Sequence, residues 1–289
     1  MFKRAEKHVS DSEAKRSLPH DRKEVFFDLL SHRKMTLFAL SCFTFMFFIP
    51  LAVDLFYLNY WTSMILASDV TEKYRHLFSI FFYSMLIMLP CMIVGFVGFA
   101  GAFYVAKLLV WQEDVSLAVD FFKGIKENWK HALFNGFVFG LILFGMVVGG
   151  TFLYLYSPTT PIWCGVGIGG LILIFITFGM VISLNFTQDV YYENRLFTTY
   201  KNSFCFLGLL NWRILVLFVL STGGVIALAC FNLITLSVGL FLFAVLNSVV
   251  IILYTLLSHS AFDKYINKEH YPDMVGKGLY KLEKEDKEA

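Results

Sequence analysis

Glu113 and Asp114 stand side by side, followed by Lys123, Lys126, Lys130 and His131, in a chain otherwise poor in charge. Adjacent carboxylates are a pair that general acid–base catalysis uses. Their setting points elsewhere. They open the stretch EDVSLAVDFFKGIKENWKHALFNGFVFG (113–140), a charged segment that runs directly into an apolar one. Acids at a helix start satisfy free backbone N–H groups, so capping by Asp114 is the simpler role. The other chemistry-bearing residues are dispersed. The histidines (His8, His20, His32, His76, His131, His259, His270) form no HExxH pair, and neither a GxSxG elbow nor a GxxxxGK[ST] loop is present. The cysteines Cys42, Cys91, Cys164, Cys205 and Cys230 lie far apart, mostly in apolar runs, where they read as small hydrophobic side chains. This pattern implies no catalytic group, metal or cofactor.

The elements that must carry these residues follow from composition. The 289 residues are 57% hydrophobic and 16% charged, with a mean hydropathy of +0.66. Soluble domains carry about 25% charged residues, so the class is integral membrane protein. A bilayer core of about 30 Å needs about 20 apolar residues per crossing. Six stretches qualify: Met35–Tyr57, Leu77–Phe99, Ala132–Tyr156, Ile162–Asn185, Ile214–Leu233 and Leu236–Ser258, the last two forming a tight hairpin. Residues 1–34 are polar and lack the apolar region of a secretory signal, which makes the first span an uncleaved anchor. Leu77–Trp111 is too long for one crossing. Pro90 offers a kink, and a break is expected near Gly98–Gly101, with Ala102–Trp111 running along the inner face. The glycines of GVGIGG (165–170), with Gly145, Gly149 and Gly150, read as close helix packing, a moving hinge being the alternative.

Of the 24 Lys and Arg residues, all but Lys73 and Arg75 fall on one side of a six-span arrangement. The positive-inside rule then places both termini in the cytoplasm. The spans contain one charge, Asp54, near the outer end of the first. It is a candidate ligand for a cation or substrate, but a place at the interface beside Tyr57 and Tyr60 suits it better. The lack of a buried acid, Lys or His network disfavours an ion-coupled carrier. The basic terminal segments also carry many acids, which argues for solvated tails near anionic lipid rather than nucleic-acid binding.

Val115, Ala118, Phe122, Ile125 and Trp129 recur at intervals of three and four, so Asp114–Lys130 reads as an interfacial amphipathic helix anchored by Trp129. The pattern returns in YYENRLFTTYKNSFCFLGLLNWRILVLF (191–218), where Phe197, Lys201 and Phe204 align with Phe122, Lys126 and Trp129. EVFFDLLSHRKMTLFAL (24–40) is a third echo. The implied unit is an amphipathic helix feeding an outgoing span and a returning one, a weak internal repeat.

The block GFAGAFYVAKLLVWQEDVSLAVDFFKGIKENWKHALFNGFVFGLILF (98–144) resembles the central block of the YesL-like bacterial membrane proteins, a family without a known function. The matching positions are Gly98 to Ala102, Lys107, Glu113–Asp114, Phe121–Phe122, Lys126, Asn128 and Trp129, and in a later element Tyr200, Lys201 and Asn202. The likeness covers about two thirds of the chain. Gly and Ala replace the proline of that family's small-residue turn, and the segment before the first span is long for it. The resemblance implies a plasma-membrane protein of Gram-positive type working beside carbohydrate ABC transporters, and no catalytic residue. The expected architecture is all-α and polytopic. Segment 1–34 and tail 263–289 are cytoplasmic and flank a six-helix domain, 35–262. The expected function is a non-enzymatic accessory or scaffold, with a permease in its own right as the alternative. Beyond the bilayer, the expected partners are carbohydrate ABC-transporter components. The expected contact surface, for a partner or for lipid headgroups, comprises Asp114, Phe122, Lys123, Lys126, Trp129, Lys130, Arg195, Tyr200 and Lys201.

Overall fold

Asp21 starts the first helix by accepting hydrogen bonds from the backbone N–H groups of Lys23 (2.7 Å) and Glu24 (2.8 Å). That helix, α1 (Arg22–His32), buries Val25 and Leu29 against the rest of the protein. In this computed structural model, residues 19–68, 72–156 and 161–280 are described. Long helices follow: α2 (Lys34–Ala67), α3 (Lys73–Val110), α4 (Leu117–Tyr156), α5 (Pro161–Tyr191), α6 (Leu196–Phe218), α7 (Gly224–Phe231) and α8 (Leu233–Phe262). A π-helical turn, Val219–Gly223, joins α6 to α7. No strand occurs among the described residues. Among the described residues, five helices are long and apolar enough to cross a membrane, or six if a bent pair counts as one span. That pair is Leu196–Leu210 with Trp212–Ile226, whose axes meet at 103°.

The expected hairpin between the last two spans is a single-residue hinge. Asn232 adopts an extended backbone, its side chain accepts from the Thr235 backbone N–H (2.9 Å), and the Thr235 hydroxyl oxygen accepts from the Asn232 N–H (3.1 Å). This reciprocal capping box starts α8 directly after α7 ends.

The expected break near Gly98–Gly101 is absent, and α3 is one helix through Val110 with Pro90 inside it. The glycines serve close approach instead. A Cβ on Gly98 would lie 2.8 Å from Phe47 Cβ, and one on Gly101 would lie 2.7 Å from the Phe121 carbonyl oxygen. Ala102–Val110 does not run along a surface either. All of it except Lys107 is buried, with Phe103 stacked on Phe186 of α5 at 5.3 Å. Phenylalanines fill the centre of the bundle, Phe48, Phe96 and Phe99 meeting Phe139, Phe186 and Phe243 across helices. The GVGIGG cluster is not a packing seam. Gly165, Gly169 and Gly170 face open space, as do Gly145 and Gly150, and only Gly167 meets a close neighbour, the tip of Leu153.

Helix α4 joins the charged segment and the following span in one unbroken rod of 40 residues. At 1.5 Å per residue that is about 60 Å, roughly twice the thickness of a bilayer core. Its inner face is Phe121, Gly124, Ala132, Asn135, Gly136 and Phe139, one stripe passing from the charged part into the apolar part. That stripe is offset by one residue from the apolar series expected from periodicity. Phe122 and Trp129 point away from the bundle, 56% and 45% exposed. The two segments expected to repeat therefore differ: the first continues as one helix, and the second turns through a near right angle.

Four parts of the chain meet at one end of the bundle. The Tyr280 N–H donates to the Pro19 carbonyl (2.9 Å), Arg22 pairs with Asp263 (2.9 Å), and Lys277 pairs with Glu113 (2.7 Å). Lys107 of α3 donates to the carbonyl of Val190 (2.6 Å), near the end of α5. The two flanking segments are thus folded onto the bundle as far as residues 19–280 are concerned; 1–18 and 281–289 lie outside the described residues.

Candidate functional site

At this shared end, polar side chains at intervals of four converge from three helices. His131 and Asn135 come from α4, Asn185 and Asp189 from α5, and Thr199 and Ser203 from α6. A four-residue interval keeps each pair on one helical face, so each helix presents its pair to the others. His131 Nδ1 lies 2.6 Å from Asp189 Oδ1. Asn135 donates to the other carboxylate oxygen across 3.5 Å, while its own amide oxygen accepts from Asn185 (3.1 Å) and from the Tyr200 hydroxyl (2.7 Å). Gln188 donates to Ser203 (2.6 Å). Asn135, Asn185, Gln188, Asp189, Thr199 and Ser203 are all buried. Buried polar groups hold a helix interface together only when they are paired, and this network pairs α4, α5 and α6 at one level.

A second chain of hydrogen bonds crosses the same end. The Tyr192 hydroxyl donates to Asn267 (2.7 Å), Asn267 donates to Asp263 (2.8 Å), and Asp263 also receives Arg22 (2.9 Å). Burial, with the negative charge of Asp263 and the neighbouring Tyr271, pushes the Tyr192 phenol well above its usual range, so it remains a donor. His259, fully buried, touches Asp263 through Nδ1 (3.1 Å) and Trp111 Nε1 through Nε2 (3.0 Å). The Lys107 ammonium sits 4.5 Å from the Tyr104 ring centre and 5.2 Å from that of Trp111. The one charge in an otherwise apolar stretch is thereby held by aromatic faces and a helix C-terminal carbonyl.

The residues expected to form a contact surface divide. Phe122, Lys123, Lys126, Trp129 and Lys130 are exposed along α4. Lys123 hangs 5.6 Å from the Tyr104 ring centre and Lys130 lies 5.7 Å from that of Trp129. Arg195 and Lys201 are exposed on the second segment with Phe197 and Phe204. Tyr200 turns inward to Asn135 and belongs to the network rather than the surface. Asp114 is exposed and is not the cap. The helix begins at Leu117, and Asp120 performs the capping by accepting from the Ser116 N–H (2.8 Å). Asp54 is buried within the bundle and accepts from Ser84 of α3 (3.0 Å). Tyr57, Tyr60 and Trp61 near it are exposed, as an aromatic belt would be.

Reasoning from spans overlooked Asp189, Gln188, Arg22, Trp111, His259 and Asp263, because each lies at or beyond a span boundary, where a polar residue looks unremarkable. The available signal was the repeated four-residue spacing of polar side chains just past the apolar runs. Among the described residues, no group of three or more His, Cys, Asp or Glu side chains is placed to hold a metal ion. Comparison with protein-family models, with characterised proteins and with solved structures returned no match, so the YesL-like resemblance rests on the motifs alone.

Proposed function

We propose that this chain is a non-enzymatic, multi-pass protein of a bacterial plasma membrane, serving as an accessory or scaffold to a carbohydrate uptake system. The reading takes α6–α7 as a sixth crossing and places both termini, with the polar networks, on the cytoplasmic side. The meeting of residues 19–22 with 263–280 at one end of the bundle supports an even number of crossings. The excess of Lys and Arg in the segments at that end supports the orientation.

The single observation that carries the scaffold role is the outer face of α4. Phe122 and Trp129 stand exposed among Lys123, Lys126 and Lys130, on a rod fixed along its opposite side by Phe121, Gly124 and Ala132. A rigid helix presenting aromatic anchors among cations is suited to an acidic partner segment. The carbohydrate-transport context comes from the family resemblance. Lys123→Glu with Lys126→Glu reverses the charge without touching the buried stripe. Affinity purification from intact membranes should recover an uptake component with the native chain and lose it with the double variant. An unchanged set of co-purified proteins counts against the scaffold role. Sugar uptake by the purified chain alone in liposomes would favour a permease instead.

A further inference from the structure

Residues beyond α8 form a strap over the end of the bundle. The chain continues through a π-helical turn (Asp263–Asn267), a short helix α9 (Lys268–His270) and a 3-10 turn (Pro272–Met274), then crosses the C-terminal end of α3 as far as Tyr280. Gly278 has φ +82°, and a Cβ there would lie 2.3 Å from the Val110 carbonyl oxygen. Only glycine combines that backbone angle with that proximity. Lys277 lies 3.6 Å from the Trp111 ring centre and pairs with Glu113 (2.7 Å). Its carbonyl accepts from Arg22 Nη1 (2.9 Å), and the Gly276 N–H donates to Asp263 Oδ2 (3.3 Å).

All of these ties depend on the position of Asp263 and Trp111, and His259 lies between the two. The indole N–H of Trp111 lies 3.0 Å from His259 Nε2 and Arg22 Nη2 lies 2.7 Å from Nδ1, and both are donors only. The neutral ring keeps one lone pair for them, while Asp263 Oδ2, which also receives Arg22 (2.9 Å), lies 3.1 Å from Nδ1. His259 is therefore neutral in the closed arrangement. A second ring proton would face the Trp111 N–H and place an imidazolium against a guanidinium in a buried site, with Asp263 as the one anion in contact among the described residues. The other ionisable groups around it give no relief. Tyr191, whose ring centre is 5.0 Å away, and Tyr192 are uncharged phenols, while Lys107 and Lys277 are cations on Trp111. Glu113 is held by Lys277.

We infer that the strap is a pH-sensitive clasp, closed over the end of α3 while His259 is neutral and released when His259 takes up a proton. Release uncovers Val110, Trp111 and the Arg22–Asp263 pair. The sign follows from linkage: the open form binds the extra proton, so closure weakens as pH falls. His20 lies at the strap's far end with Nδ1 3.2 Å from the Tyr280 carbonyl.

Hydrogen–deuterium exchange of the full chain in lipid nanodiscs, corrected for intrinsic exchange rates, reads the opening of residues 271–280 directly. Protection of this segment should fall between pH 8 and pH 5, by up to about tenfold per pH unit for a single linked proton. His259→Gln retains an acceptor for Trp111 and a donor for Asp263 without titrating, and should flatten the profile. Lys277→Glu sets like charges against Glu113 and removes the contact with Trp111, and should lower protection at every pH. Strap protection that does not change with pH in the native chain overturns the clasp, as does a slope that persists in His259→Gln. The native profile and the surface variant Lys277→Glu decide the matter even if His259→Gln fails to fold.

Discussion

Glycine-to-alanine substitution offers a sharp test of how α3 and α4 are held together. A Cβ added at Gly124 would lie 2.4 Å from Tyr104 Cβ, 2.8 Å from its Cγ and 3.2 Å from the Ala100 carbonyl oxygen. Tyr104 Cβ is attached directly to the backbone and cannot rotate out of the way. Ordinary contact begins near 3.4 Å, so α3 and α4 must part by close to an ångström at this level. Overpacking of this kind costs about 1–3 kcal/mol. Alanine returns up to about 1 kcal/mol through its better helix propensity. The balance is a loss of about 1–2 kcal/mol for Gly124→Ala. Gly169 supplies the control. It is also a glycine within a helix, but a Cβ there meets nothing within 4 Å, so Gly169→Ala should be neutral or stabilising by up to about 1 kcal/mol. Reversible unfolding in mixed micelles titrated with a denaturing detergent measures both. Equal effects of the two substitutions, or a larger loss at Gly169, would refute the assignment of packing contacts.

Further outcomes follow from the polar networks and the caps. Asp189→Ala leaves His131 and Asn135 without their acceptor and should cost about 3 kcal/mol in the same unfolding assay, with His131→Ala costing less in that background than alone. Arg22→Ala removes the partner of Asp263 from a pair whose side chains are only 14% and 18% exposed; a loss of about 3 kcal/mol should appear first as detachment of α1, read by proteolysis near Lys23. Asn232→Ala removes the cap at the hinge between α7 and α8 and should cost about 1 kcal/mol, while Asn232→Asp should restore most of it.

Apolar length and the short link between the last two apolar runs made an architecture of membrane-length helices legible without coordinates. These are properties of consecutive residues: a run of about 20 apolar side chains must be helical in a bilayer, because nothing else satisfies its backbone there. Periodicity also located an amphipathic helix at Asp114–Lys130, which the structure starts at Leu117, but not its orientation. Phe121 and Phe122 are neighbours of the same type, and the choice of which one faces inward depends on Gly101 and Tyr104, carried by another helix. The same limit applies to the glycines. Gly98 and Gly169 are alike in sequence; one is pressed against Phe47 and the other faces open space.

The candidate site divides along the same line. The exposed part, Lys123, Lys126, Trp129, Arg195 and Lys201, was readable from charge and aromatic spacing along single helices. The buried part was not, because its meaning lies in pairing across distant positions. Asp189 is an ordinary residue past the end of a span until His131 stands 2.6 Å away. His259 is one of seven dispersed histidines until Trp111, Arg22 and Asp263 enclose it. The sequence by itself determined that this protein is built of long apolar helices, because hydropathy acts locally along the chain. Only the tertiary structure decided which glycines are contacts, which polar groups are partners and how the terminal segments close over the bundle, because those depend on distances between residues that the chain itself holds far apart.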